Sequence, residues 1–234
     1  CGAANLPAEN VAEYAEVIGN ADLTETRGVP ISGGSAELNG FIYNHGGFIF
    51  DAEEDRYDFT NEGALAGLQY VQNLYNNGCA FFPEGGAFSN TNNEFGLGFS
   101  PVATGSSVGV PFIQGSMDEA GVMIEWINTT MPWMEGERTL ITFLRGVGII
   151  RSTPEENLAS WLFVKYWATD PAAQRIWTEA AQYQPFNTDT AANLSEEFLA
   201  ENNQFTSFAE ALADPDINLF AEPSHPRSGE VFDI

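Results

Sequence analysis

The sequence predicts an α/β protein, and two patterns support this fold class. Short stretches rich in β-branched and aromatic residues alternate with longer stretches whose apolar residues recur every three or four positions. The final third of the chain is almost entirely of the second, helical kind. Short strands that alternate with helices, followed by further helices, are typical of α/β folds. The 234 residues, 44% of them hydrophobic, are enough for one large domain or two modest ones.

The first predicted elements are a helix, a strand and a second helix. Apolar residues at helical spacing predict a helix over residues 8–18 that ends at Gly19. The segment "RGVPIS" then predicts a short strand. The segment "SAELNGFIYN" predicts the second helix, and we expect Gly46 and Gly47 to stop it.

The middle of the chain predicts one long helix and several short strands. "RYDF" is extended, and Thr60 or Asn61 caps a helix that Gly78 closes. Residues 79–130 are rich in Gly, Asn and Ser, with short strands expected at 97–103 and 122–128. "TLITFLRGVGII" predicts a further β segment.

The final third predicts several helices with clear start signals. Thr153 and Glu156 form a capping box around Pro154, and Asp170 with Pro171 opens the next helix. Two shorter helices are expected near 195–201 and 206–212. The tryptophans of this region lie on helical faces and are expected to be core residues: Trp161, Trp167 and Trp177.

The charge of the chain is strongly acidic. There are 33 acidic and eight basic residues, which gives a net charge of −25, and Lys165 is the only lysine. Nucleic acids and anionic membrane surfaces bind clustered cations, so neither is an expected partner. A dense carboxylate surface suits a protein kept soluble outside the cell, although it is also what any solvated acidic surface looks like.

Two cysteines leave two alternatives open. Cys1 and Cys79 form one disulfide bond, or Cys1 followed by Gly2 is the start of a lipid-anchored mature protein. No apolar run approaches the ~20 residues that a bilayer span requires.

The sequence contains a hydrolase motif, but the residues that follow the motif do not fit the helix that it requires. "GSSVG" at 105–109 fits the G-x-S-x-G pattern with Ser107 as nucleophile, and His225 follows downstream. That motif needs a helix directly after the serine, whereas Pro111 lies where the first turn should be. We therefore expect no catalytic residue and no enzyme. A secreted α/β hydrolase that uses Ser107 and His225 remains an alternative function.

Metal and cofactor sites are not expected either. Asp51, Glu53, Asp55 and Glu62 have the spacing of a calcium loop, but Arg56 stands where the loop requires glycine. His45 and His225 are the only histidines and have no zinc-ligand spacing. "GVG" at 146–148 precedes a β-like segment, so it is not a nucleotide-binding loop.

Several segments, in order, resemble the extracellular solute-binding proteins of ABC importers. "YNHGGFIFDAEEDRYDFTNEGALAGLQYVQNLYNNG" is similar to the second lobe of the sugar-binding branch, which includes maltose-binding protein. "FGLGFSPVATGSSVGVPF" and "TMPW" resemble later segments of that family. The most specific match is "GVGIIRSTPEENLASWLFVKYWATDPAAQRIWTEAAQYQPFN".

The resemblance implies a two-lobed, periplasmic-binding-protein-like α/β fold, of which this chain holds mostly the second lobe. Residues 1–130 would be the second lobe and 131–145 a hinge crossing. Residues 146–221 would be a helical return segment of the first lobe, and 222–234 would cross back. Family members are usually much longer, so the chain is expected to be incomplete.

The resemblance also implies a function, namely capture of a small polar ligand between two lobes and delivery to a membrane permease. A carbohydrate is the favoured ligand, the protein is expected to be a monomer without cofactor, and its location extracellular or periplasmic. An adhesive or surface module that reuses the fold is the second alternative. The expected ligand-binding residues are Ser35, Glu37, Gly46, Gly47, Ser106, Ser107, Trp133 and Arg145.

Overall fold

The structure is a computed structural model that describes residues 6–20, 22–84, 88–134, 136–143, 146–185 and 187–221. Arg145, His225 and the expected crossing at 222–234 lie outside these ranges. The helices of the described ranges are α1 (Ala8–Ile18), α2 (Ser35–Tyr43), α3 (Glu62–Asn76), α4 (Phe88–Gly96), α5 (Val110–Ala120), α6 (Pro154–Thr169), α7 (Pro171–Ala181), α8 (Thr188–Ala191), α9 (Glu196–Glu201) and α10 (Asn203–Ala213). The strands there are β1 (Val29–Pro30), β2 (Phe50–Asp51), β3 (Arg56–Tyr57), β4 (Ala80–Phe81), β5 (Thr139–Thr142) and β6 (Asn218–Ala221).

The predicted helix starts are confirmed by their caps. Asn61 accepts a hydrogen bond from the Ala64 N–H at the start of α3. Thr153 and Glu156 form both bonds of the capping box at α6. Asp170 accepts hydrogen bonds from two N–H groups in the first turn of α7. Each cap satisfies backbone donors that would otherwise have no partner within the helix.

The strands form three two-stranded pairs. β1 pairs with β4 in parallel, and β5 pairs with β6 in parallel. β2 and β3 form an antiparallel hairpin around the acidic turn. The β5–β6 pair joins residues on either side of the final helices, so it ties the two ends of that region together.

Three hydrophobic clusters form the core of the region before residue 130. One packs α1 against α4, α5 and the segment after α5. A second packs β1 and β4 against α2 and α3. The third packs the end of α2, the hairpin and α3 against Ile141 and Phe220 from β5 and β6. The β5–β6 pair is therefore attached to this core.

Two expectations for residues 79–130 were wrong. The region contains α4 and α5, and no strand is assigned at 97–103 or 122–128, although both stretches are described in full. Phe95 of α4 and two residues of α5, Ile113 and Met117, pack against α1. This tertiary packing overrides the low helix propensity of the Gly, Asn and Ser residues nearby.

The expectation that Trp161 and Trp177 are core residues was also wrong for the described structure. Trp161 is 54% exposed and Trp177 is 44% exposed. The rings of Trp167 and Trp177 pack edge to face at 5.7 Å, which joins α6 to α7. In the described residues α6 contributes no buried side chain, so the element lies on the surface despite its apolar sequence.

Cys79, which follows α3, forms a disulfide bond. The other cysteine of the chain, Cys1, lies outside the described residues. No described helix is both long enough and apolar enough to span a bilayer.

Candidate functional site

A narrow groove lies between the region of the first three clusters and the final helices. It encloses about 170 Å³, including space open to solvent. Its lining residues come from both regions: Ser107, Val110, Asn128, Gln182, Gln184, Phe205 and Phe208. In this conformation the groove is too narrow to admit a small-molecule ligand.

The first wall is the start of α5. Ser107 begins a single 3₁₀ turn that leads into α5 at Val110. Pro111 lies in the first turn of α5, where a missing N–H costs nothing. Contrary to the sequence-based expectation, a helix does follow Ser107, because the proline stands at its very start. Residues of this wall therefore present a hydroxyl and backbone groups at a helix entrance.

Asn128 connects the two walls. Its backbone N–H donates to the Ser207 hydroxyl at 3.0 Å, and its Nδ2 donates to the Gln204 carbonyl at 3.1 Å. Both acceptors belong to α10. The extended segment after α5 is thus attached to the final helices next to the groove.

The second wall is the turn after α7 together with α10. Gln182 is the residue at the C-terminal end of α7 and has left-handed backbone angles, φ 56° and ψ 24°. Its Nε2 donates to Asn202 Oδ1 at 3.0 Å. Gln184 follows it in the groove, and α10 contributes two phenylalanines, Phe205 and Phe208.

The groove chemistry is polar and aromatic without charge. Among the described residues that line it, three amides and a hydroxyl can donate and accept hydrogen bonds, and none is ionisable at neutral pH. Aromatic rings beside uncharged hydrogen-bonding groups suit a ligand with both apolar faces and hydroxyl groups. The groove therefore favours a neutral polar ligand over an ion.

Of the expected site residues, Ser107 is the one that lines this groove. Ser106 precedes it and is exposed, and its carbonyl accepts from the Gly109 N–H at 2.8 Å. Both serines thus lie at the first wall. Arg145 lies outside the described residues.

Ser35 and Glu37 lie in the first turn of α2, which follows β1, and segments after the carboxyl ends of strands commonly carry ligand sites in α/β sheets. Glu37 is 4% exposed, and its Oε2 accepts from the Ser32 N–H at 2.7 Å and the Ser32 hydroxyl at 2.5 Å. Burial raises the pKa of Glu37, while these hydrogen bonds act in the opposite direction. Neither residue lines the groove, so their ligand role stays a prediction.

Trp133 lies in the expected hinge crossing and is 46% exposed. The Arg138 guanidinium stands 4.6 Å from the centre of its ring, and Arg138 Nη1 lies 2.5 Å from Asp214 Oδ2. One face of the indole is therefore occupied by a cation that is itself held to the end of α10. A ligand role for Trp133 would use the other face.

Gly46 and Gly47 have structural roles in the described fold. Gly46 has φ 74°, and the Gly47 N–H donates to the Ile42 carbonyl, which ends α2. A Cβ on Gly47 would lie 2.4 Å from the Ala64 nitrogen, so the glycine lets α2 approach the start of α3. Neither glycine lines the groove, and their ligand role stays a prediction.

Sequence reasoning missed most of the groove. The residues missed are Val110, Asn128, Gln182, Gln184, Phe205 and Phe208. The one local signal was "AQYQP", where a helix ends at a residue other than the usual glycine or asparagine. The others are brought together by contacts between residues far apart in sequence.

The described residues give little support to a metal-binding site. In those ranges no group of three or more His, Cys, Asp and Glu side chains could hold a metal ion. The calcium-spaced residues lie around the β2–β3 hairpin, where Asp51 Oδ1 accepts from the Glu53 and Glu54 N–H groups. Arg56 pairs there with Glu54 and Asp58.

Comparisons of the sequence and of the structure with known proteins agree on one class of protein. The profile of a family described as bacterial extracellular solute-binding protein matches residues 9–206. Among solved structures, the GacH receptor of Streptomyces glaucescens GLA.O matches with a TM-score of 0.65 and 16% identity. That receptor was solved unliganded and in complex with acarbose and an acarbose homolog. The match covers 97% of this chain and 54% of the receptor, so the chain spans about half the receptor's length. No curated protein sequence matches the chain.

Proposed function

The chain belongs to the family of bacterial extracellular solute-binding proteins, and we propose that it captures a neutral, hydroxyl-rich ligand, a carbohydrate in the first place. The protein that contains it would close two lobes around this ligand and deliver it to an ABC importer permease. It would work as an extracellular or periplasmic monomer.

One observation carries this proposal, namely the composition of the groove. Amide and hydroxyl groups from Ser107, Asn128, Gln182 and Gln184 stand beside two phenylalanine rings, with no ionisable side chain among the described lining residues. Sugars bind proteins through this combination of aromatic faces and short polar groups. The acidic surface of the chain also disfavours anionic ligands.

The proposed lobes follow the boundaries expected from the sequence. Residues 1–130 would form the second lobe, 131–145 the hinge crossing, 146–221 the return segment of the first lobe, and 222–234 the crossing back. The groove lies between the first and third of these segments, and hinge motion would open it to a sugar.

The surface of the return segment supports its assignment to a larger lobe. In the described residues α6 exposes apolar side chains on all sides, among them Leu158, Leu162 and Phe163. Helices that are apolar all round are normally buried, and parallel sheets such as β5–β6 are normally covered on both faces. We propose that further residues of the parent protein, corresponding to the part of the GacH receptor that this chain does not match, cover this surface.

A ligand screen on the full-length protein tests the proposed function. Neutral mono- and oligosaccharides, acarbose, an amino acid and a dipeptide are added, and the melting temperature is measured. A ligand at one hundred times its dissociation constant stabilises the native state by ~2.7 kcal/mol, so one or more neutral sugars should raise the melting temperature.

Two further measurements separate the alternatives. Isothermal titration calorimetry should give a single saturable site for a sugar that stabilises the protein. Labelling of Ser107 by a fluorophosphonate, together with no stabilisation by any sugar, would favour the hydrolase instead. No stabilisation by any sugar from a folded protein would contradict the proposed function.

A further inference from the structure

We infer that Gln182 Oε1 is an anchor for one hydroxyl group of the bound sugar, which makes Gln182 a specificity-determining residue of the groove. This inference rests on the proposed function and assigns one hydrogen bond within it. Gln182 lines the groove, and its Oε1 is buried without a hydrogen-bond partner among the described residues.

Neighbouring hydrogen bonds fix the orientation of the Gln182 amide. Asn202 Nδ2 donates to the Phe198 carbonyl at 2.7 Å, which leaves Asn202 Oδ1 as an acceptor. Gln182 Nε2 donates to that oxygen at 3.0 Å. If the Gln182 amide were flipped, its oxygen would face another oxygen. The chain of donors therefore leaves Oε1 as an acceptor without a partner, and a ligand group that bonds to it must be a donor.

The backbone at Gln182 is unusual for its residue type. Its φ of 56° and ψ of 24° are left-handed, a conformation that helix ends usually give to glycine or asparagine. Gln182 and Asp55 are the described residues other than glycine with positive φ. Backbone conformations of this kind concentrate at functional sites, where the side chain is needed in place.

Unsatisfied buried polar atoms are more frequent in the final helices than elsewhere in the described ranges. Of five buried side-chain atoms without a partner in the described ranges, three lie on α7, the turn after it, or α10. These are Thr178 Oγ1, Gln182 Oε1 and Thr206 Oγ1. Buried polar atoms are nearly always paired in native proteins, so the unpaired Oε1 of Gln182, a lining residue, indicates a missing polar partner in the groove. A sugar hydroxyl group supplies such a partner.

The test uses three variants of the full-length protein. Gln182→Gly removes the amide and relieves the left-handed backbone. Gln182→Met removes the amide but keeps a side chain of similar length. Gln69→Met is the matched control, because Gln69 is an exposed glutamine on α3 away from the groove. The probes are glucose, maltose, maltotriose, cellobiose and lactose, with the monodeoxy derivatives of each sugar that binds.

The expected result is a loss of affinity without a loss of stability. Gln182→Gly should melt at or above the wild-type temperature, since glycine prefers the left-handed conformation. Its dissociation constant for the sugar, and that of Gln182→Met, should rise at least tenfold, while Gln69→Met should bind as wild type does. Wild type should lose about tenfold in affinity for one monodeoxy derivative, and Gln182→Gly should not distinguish that derivative from its parent.

Failure of this inference differs from failure of the proposed function. If wild type binds a sugar and Gln182→Gly binds it within twofold, the anchor is wrong and the proposed function stands. The anchor is also wrong if both proteins show the same loss for every monodeoxy derivative, or if neither shows any. If folded wild type binds none of the probes, both are contradicted.

Discussion

Asn44 is a buried amide that joins segments far apart in the sequence. It follows α2, and its Nδ2 donates to the Gly40 and Thr139 carbonyls at 2.8 Å each. Its Oδ1 accepts from the Thr139 N–H at 2.8 Å, and its carbonyl accepts from the Met134 N–H. Asn44 therefore attaches β5 and the proposed hinge crossing to the α2–α3 core.

We expect Asn44→Ala to lower the free energy of unfolding by ~2–4 kcal/mol, because buried backbone groups of Thr139 lose their side-chain partner. Urea denaturation of the full-length protein measures this change. The control is Asn77→Ala, which removes an exposed helix-end amide that bonds Asn73. It should change the free energy by less than ~0.5 kcal/mol. Equal effects of the two substitutions would contradict the role given to Asn44.

The buried carboxyl of Glu37 predicts that the difference in stability between wild type and Glu37→Gln depends on pH. The unfolded carboxyl ionises near its ordinary pKa of 4.5, and burial makes the folded one ionise at higher pH. Folding therefore takes up a proton above pH 4.5, and the wild-type free energy of unfolding falls as pH rises through this window. Gln at position 37 cannot ionise, so Glu37→Gln should gain relative to wild type between pH 4 and pH 7.

Urea denaturation of both proteins at several pH values checks the Glu37 prediction. The difference in unfolding free energy should move in favour of Glu37→Gln as pH rises above 4.5, because burial raises the pKa of the folded carboxyl. A difference that does not change with pH would show that the buried carboxyl titrates as it does in the unfolded chain.

Individual site residues were predictable only where local sequence determines their place. Ser107 was predicted because it lies in a run of small residues, "FGLGFSPVATGSSVGVPF", that resembles a segment of the family. Glu37 was chosen for its place after β1, but its burial and its bonds to Ser32 were not predictable. Gln182 was missed because its importance comes from contacts with Asn202 and α10, about twenty residues away.

The α6 helix is the element whose sequence and surroundings agree least. Its capping box confirms the predicted start, yet Phe163 is 68% exposed among the described residues. If the proposed cover exists, Phe163→Ala should destabilise the full-length protein by ~3–5 kcal/mol, the cost of truncating a buried phenylalanine. Thermal or urea denaturation measures this loss.

The control for α6 is Val17→Ala on α1. Val17 is 71% exposed and lies outside the proposed lobe contact, so its substitution should change stability by less than ~0.5 kcal/mol. If Phe163→Ala is as mild as Val17→Ala, α6 is a true surface helix and the proposed cover is wrong.

Elements were predictable in proportion to the strength of their boundary signals. α3, α6 and α7 begin at polar caps and carry periodic apolar residues, and all three were predicted. α4 was missed because "FSNTNNEFG" has few apolar positions, and it is held by α5 and by the Arg27–Glu94 ion pair. The segment 122–128 alternates in burial as a strand does, but strand assignment requires a neighbouring backbone.

At the scale of the molecule, the net charge of −25 predicts a salt-dependent stability. Like charges repel one another in the compact state, and salt screens that repulsion. We expect the melting temperature to rise by about 2–4 °C between 20 mM and 500 mM NaCl, the shift that ~1 kcal/mol causes in a protein of this size. Potassium chloride should act equally, and a lower melting temperature in both salts would contradict the prediction.

The order of segments predicted the family and the fold class, both of which are confirmed. It did not predict the groove, because the groove forms where the segment ending at Asn128 meets α10, and such contacts leave no periodic pattern in sequence. The lobe boundaries remain proposals, since the chain spans about half of the receptor it matches.

A crystal structure of the full-length protein with a bound neutral oligosaccharide tests the central claim most directly. We predict that the sugar lies between Ser107 and Gln182, with a ring against Phe205 or Phe208 and a hydroxyl group within hydrogen-bond distance of Gln182 Oε1. A sugar bound elsewhere, with the two walls still in contact, would contradict the claim that this groove is the ligand cleft.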